Sequence, residues 1–107
     1  MDRNLSIKQE KKIAKLLDTS LTPGSGSSNW QGKKADSKSD ILLVENKYTE
    51  KRSFSLKESE LSKLRDQAYI QDLEPVFQVS FEGTRTEVAM ITMDFFVELL
   101  RVYNEHI

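Results

Sequence analysis

An acid and a base two residues apart close the most apolar short run of the chain, Ile41-Leu-Leu-Val44 followed by Glu45-Asn46-Lys47. Side chains alternate along a strand, so Glu45 and Lys47 point to the same side. Charges entering from a hydrophobic strand need a partner or a metal, because an unpaired buried ion is costly. Asp36 lies nine residues upstream of Glu45. A turn signal between them, Ser39-Asp40, folds Asp36 back beside Glu45. Sequence leaves the register of this hairpin open, and a one-residue slip changes the facing side chain. Asp40 is therefore a rival to Asp36, its plainer reading being a solvated turn residue. Two carboxylates from adjacent strands suit a hard cation such as Mg²⁺, with Mn²⁺ as a substitute. Such a cation polarises a phosphate and helps to generate hydroxide. Lys47 could then orient the water or neutralise charge in the transition state. The rival reading of Glu45 and Lys47 is a structural ion pair with no metal beside it.

The elements that must position these groups follow from periodicity. Residues 5–17 form a helix, capped by Asn4 or Ser6, with Ile7, Ile13, Ala14 and Leu17 on one face and four lysines on the other. Glu10 interrupts the apolar stripe. It is either an edge glutamate paired with a lysine or a third carboxylate aimed at a buried site. A Gly/Ser-rich loop spans 18–35 and contains Ser25, Ser27, Trp30, Lys33 and Lys34. Small residues, an aromatic and two lysines suit a phosphate backbone. The other reading is a flexible linker, against which the indole of Trp30 argues. Residues 35–49 form a hairpin whose Ile41–Val44 strand is buried on both faces. Ser55 and Glu58 match a capping box for a helix over 56–72, with Leu61, Leu64, Ala68 and Tyr69 facing inward. Residues 76–81 alternate as a strand, pair with 86–91 through Glu82-Gly83-Thr84, and lead to a helix over 95–104 capped by Asp94. The apolar face of that last helix, with Phe95, Phe96, Leu99, Leu100 and Tyr103, serves the core or a dimer interface. The order predicts an α+β fold, a mixed central sheet with helices on its faces.

At 107 residues the chain makes one domain, with a real but small core. The balance of 37% hydrophobic to 31% charged residues is that of a soluble globular protein. A net charge of −1 excludes a wholly basic nucleic-acid binder, so attraction for phosphate must come from a local patch. Lys33, Lys34, Lys38, Lys47, Lys51 and Arg52 are the candidates. The absence of cysteine excludes disulfides, thiolate zinc and a thiol nucleophile, and suits a cytoplasmic setting. The single histidine, His106, sits next to the C-terminus, which speaks against a histidine triad. No signal peptide, membrane span or small-molecule cofactor site is expected.

Asp36 with Glu45-Asn46-Lys47 resembles the metal-dependent nuclease superfamily named for its PD-(D/E)XK motif. More closely, Gly24-Ser-Gly-Ser-Ser28, Gly32-Lys-Lys-Ala-Asp36, Val44-Glu-Asn-Lys-Tyr-Thr49, Phe54-Ser-Leu56 and Glu74-Pro-Val-Phe77 are similar to small phage and prophage Holliday-junction-resolvase-like endonucleases. The similarity runs to about residue 100. It implies a restriction-endonuclease-like core, with Asp36 and Glu45 as metal ligands, Lys47 as the signature lysine and Glu10 as the helix glutamate. It also implies Mg²⁺-dependent cleavage of four-way DNA junctions by a homodimer inside a bacterial host. Ala35 departs from the pattern, since Gly or Pro is common before the aspartate. The alternatives are a nuclease of the same fold acting on nicked, flapped or duplex DNA, a non-catalytic DNA-binding or assembly module, and a plain α+β interaction domain.

Overall fold

The computed structural model describes residues 3–21 and 35–106. Eight elements follow in the order α1 (Arg3–Leu17), β1 (Ser20–Leu21), β2 (Ser37–Lys38), β3 (Leu42–Thr49), α2 (Glu58–Ile70), β4 (Glu74–Phe81), β5 (Thr86–Ile91) and α3 (Met93–Glu105). The strands form one mixed sheet in sequential order, β1 to β5. All neighbours are antiparallel except β3 and β4, which run parallel across the α2 crossover. The expected α+β class and the expected hairpin are present. No helix is long and apolar enough to cross a membrane among the described residues.

β4 is the middle of the molecule, because Pro75 through Ser80 are all buried. Phe77 and Val79 join Leu43, Leu64 and Ala68 in the core under α2. By alternation Val76, Gln78 and Ser80 face the other way, toward α1, and the Gln9 side chain of α1 donates to Ser80 Oγ at 2.8 Å. The alternation at 76–81 is therefore core against a second covered face. The reading of Ile41–Val44 as buried on both sides holds for Leu43 and Val44, while Ile41 is exposed at the turn. Ser39 builds that turn, its hydroxyl accepting from the backbone N–H groups of Ile41 and Leu42.

Helix ends explain the shifted boundaries. Thr92, not Asp94, caps α3, its hydroxyl accepting from Phe95 N–H at 3.2 Å. Lys57 is the N-cap of α2 and makes no side-chain cap bond, so the Ser55–Glu58 capping box does not form. Phe54 and Leu56 pack against the core in extended chain instead. Burying two large side chains outweighs a cap worth ~1 kcal/mol. α1 and α2 end alike. Asp18 and Asp72 adopt the left-handed region at φ 55° and 59°. The following N–H groups of Thr19 and Leu73 return to Ala14 and Ala68 carbonyls at 2.8 Å each. This is the Schellman closure, with aspartate in the place usually taken by glycine.

Candidate functional site

The β2–β3 register pairs Ser37 with Val44 and Lys38 with Leu43. Carried one step further, it sets Asp36 opposite Glu45, side by side across the ladder. Asp36 is buried, at 3% exposure, and its Oδ2 accepts the Asn46 backbone N–H at 2.7 Å. The carboxylate thus takes over the acceptor role of a backbone carbonyl where the β2 strand ends. Asp40 is exposed at the turn, five residues back along β3, on the order of 16 Å from Glu45. The hairpin brings Asp36 to Glu45 and leaves Asp40 out.

Glu45 and Lys47 point to the α2 face and line a cavity of about 150 Å³ with Glu60, Lys63, Leu64, Gln67 and Phe77. Lys47 Nζ stands 4.0 Å from Glu45 Oε2 and 5.7 Å from the centre of the Phe77 ring. Both side chains are partly exposed, Glu45 less than Lys47. The polar α2 residues of this cavity were missed in sequence. Their spacing at 60, 63 and 67 runs beside the buried stripe at Leu64 and Ala68, a helical signal readable only once the docking side of α2 is known.

Glu10 is half-buried on α1, which covers the opposite face of the sheet. Among the described residues no group of three or more His, Cys, Asp or Glu converges as a metal cage. The fold thus assembles Asp36, Glu45 and Lys47 and does not gather Glu10 with both acids. The donor set remains one of carboxylate oxygens, which suits a hard, mostly water-ligated cation and not Zn²⁺.

Behind Asn46 a polar chain crosses the α1 face. Asn46 Nδ2 donates to Gln78 Oε1 at 2.9 Å, Gln78 Nε2 to Ser80 Oγ at 2.9 Å, and Gln9 Nε2 to Glu87 Oε2 at 2.6 Å. Lys12 completes it with a 3.0 Å ion pair to Glu87. Asn46 Oδ1 is buried with no hydrogen-bond partner among the described residues.

The expected cation surface divides. Ser25, Ser27, Trp30, Lys33 and Lys34 lie outside the described residues. Lys51 and Arg52 line a recess beyond the carboxyl end of β3 with Gly83 and Thr84. Lys38 lies opposite Leu43 and donates to Gln71 Oε1 at 3.4 Å. That is the other end of the strand, roughly 26 Å from Lys51. Lys8, Lys12 and Arg85 line a neighbouring recess with Tyr48 and Phe81. Sequence reading placed Lys8 and Lys12 on the polar face of the first helix and gave Arg85 no role. The chain matches no family model, no curated protein and no solved structure.

Proposed function

We propose that the chain is a metal-dependent DNA endonuclease of the Holliday-junction-resolvase type, built on a restriction-endonuclease-like core. The observation that carries this reading is the register that sets buried Asp36 opposite Glu45, with Lys47 one pleat further on the Glu45 side. The order α-β-β-β-α-β, an antiparallel meander joined by a helix to a parallel strand, supports the core assignment. Asp36 and Glu45 are the residues that would hold Mg²⁺, which supplies Lewis-acid polarisation of a phosphate oxygen when bound.

The chain's own groups do the rest. Asn46 N–H orients the Asp36 carboxylate. Lys47, steadied by the Phe77 ring, brings a partly desolvated ammonium next to Glu45, where it can attract a phosphate oxygen. At the carboxyl ends of β3 and β4, where Glu50, Glu82 and Glu87 also lie and Lys12 pairs with Glu87, the cations are Lys51, Arg52, Arg85 and Lys8. They would track a backbone by charge and read shape, not base sequence.

The test is cleavage of end-labelled four-way junction, nicked duplex and plain duplex, with Mg²⁺ and with EDTA. Paired, symmetric, Mg²⁺-dependent cuts confined to the junction are expected. Cutting of all three substrates would leave a general nuclease of this fold. Junction binding without cutting would mean a non-catalytic module. The 4.0 Å contact between Lys47 and Glu45 favours a second reading, a structural ion pair in an interaction domain. Neither cutting nor binding would establish that reading.

A further inference from the structure

A groove of about 700 Å³ opens at the amino ends of β3 and β4, between the last turn of α2 and the first turn of α3. Leu73 is buried in it and Phe95 half-buried, while Ile41 at 61% and Tyr69 at 50% stand open to solvent. Five carboxylates surround these apolar side chains: Asp40, Asp72, Glu74, Asp94 and Glu98. Among the described residues no lysine or arginine lines the groove. Lys38, near this end, turns to Gln71 Oε1 at 3.4 Å instead. Of the five acids only Glu98 has an ion-pair partner among the described residues, Arg101 at 2.6 Å. Open apolar surface and repelling like charges thus share one groove, and an occupant that is both apolar and cationic relieves both.

The sign of the rim excludes nucleic acid and an anionic lipid surface as that occupant. A single metal ion does not fit either, because among the described residues no three of these acids converge as a cage. The volume is also that of a pocket for organic groups. Complementary charge must therefore come spaced along a chain, on both sides of an apolar group. We propose that the groove docks a basic amphipathic segment of another protein. Its apolar side chains lie against Ile41, Tyr69 and Phe95, and its lysine or arginine side chains meet the acidic rim. Asp94 and Glu98, four residues apart on α3, present their charges on one side of that helix. The groove stands at the opposite end of the strands from Lys51 and Arg52, so a docked segment leaves those cations free. Docking here uses none of Asp36, Glu45 and Lys47, and it stands or falls separately from the nuclease reading.

The experiment is calorimetric titration of the full chain with an amphipathic leucine–lysine peptide, with amide chemical shifts locating the contact. Micromolar binding at low salt is expected, weakened ~10-fold or more at high salt. Shift changes should centre on Ile41, Tyr69, Asp72 and Phe95. Asp40→Asn with Asp94→Asn should weaken binding ~10-fold or more, and so should Ile41→Ser with Tyr69→Ser, each with an unchanged far-UV spectrum. Oligolysine, and the same peptide with glutamate for lysine, should bind at least ~10-fold more weakly than the leucine–lysine peptide. No binding of the leucine–lysine peptide, equal binding of either control, shift changes centred elsewhere, or an affinity that either paired variant leaves unchanged would each overturn the proposal. A second copy filling the groove would exclude the peptide and overturn it too.

Discussion

Lys47 answers to two neighbours, a carboxylate at 4.0 Å and an aromatic face at 5.7 Å. Neither makes it the closed, bidentate pair expected of a purely structural bridge, and a partly exposed pair of this kind stabilises little. Glu45→Gln and Lys47→Ala should therefore shift the melting temperature slightly, yet each should reduce junction cleavage by ~10²-fold or more. A Glu45→Gln protein that cuts like wild type would sink the nuclease reading. Asp40→Asn should leave cleavage unchanged, because that side chain sits in solvent at the far turn. Glu10→Ala should cost less activity than Glu45→Gln, since α1 lies across the sheet from Glu45. Gln78 shows the opposite balance of roles. Its buried amide joins Asn46 to Ser80, and Gln78→Leu would strand the Asn46 amide, Ser80 keeping its bond from Gln9, at a cost of ~1–2 kcal/mol. Urea unfolding should show a lower midpoint with an unchanged slope.

Among the elements, the ends of the helices carry the sharpest expectations. Asp72 holds φ 59° where glycine has no steric cost. Asp72→Gly should raise stability by ~0.5–1 kcal/mol, read as a higher urea midpoint. Ser55→Ala should change stability by no more than ~0.5 kcal/mol, because the capping box it would complete does not form. Thr92→Ala, which removes the Phe95 cap bond, should cost ~1 kcal/mol by the same measurement. The contrast arises because Thr92 leads directly into α3, its carbonyl accepting from Phe96 N–H at 3.0 Å. The chain before α2 is instead held extended by Phe54 and Leu56.

For the whole molecule, charge is sorted along the strands. Lys51, Arg52, Arg85, Lys8 and Lys12 gather at the carboxyl ends of β3 and β4, with Glu50, Glu82 and Glu87 among them. Asp40, Asp72, Glu74, Asp94 and Glu98 line the recess at the other end. A net charge of −1 thus conceals an uneven surface, mixed in sign at the carboxyl ends and acidic in the recess at the other. Replacing Lys8, Lys51 and Arg85 together by alanine should weaken junction binding. It should also flatten the dependence of log affinity on log salt by about two to three units. Lys38→Ala, at the acidic end, should leave that slope unchanged. Gel-shift titrations at several salt concentrations decide both.

Much of this protein follows from local rules. The Ser39 turn, the apolar run before Glu45, the 86–91 partner strand and the existence of all three helices are written in short-range periodicity and turn chemistry, which need no knowledge of neighbours. That Asp36 folds back toward Glu45 was readable as a hairpin, but its register was not, because a one-residue slip changes the facing side chain. What tertiary structure decided are the matters of which face meets which. Gln78 and Ser80 look like solvent positions until α1 covers them. Glu60, Lys63 and Gln67 look like surface until α2 turns them toward Glu45. Glu10 reads equally as an edge glutamate or a third carboxylate, because sequence does not say where α1 packs on the sheet. Side-chain identity sets what a residue can do, but burial and convergence come from long-range packing, and a one-dimensional pattern records only the first.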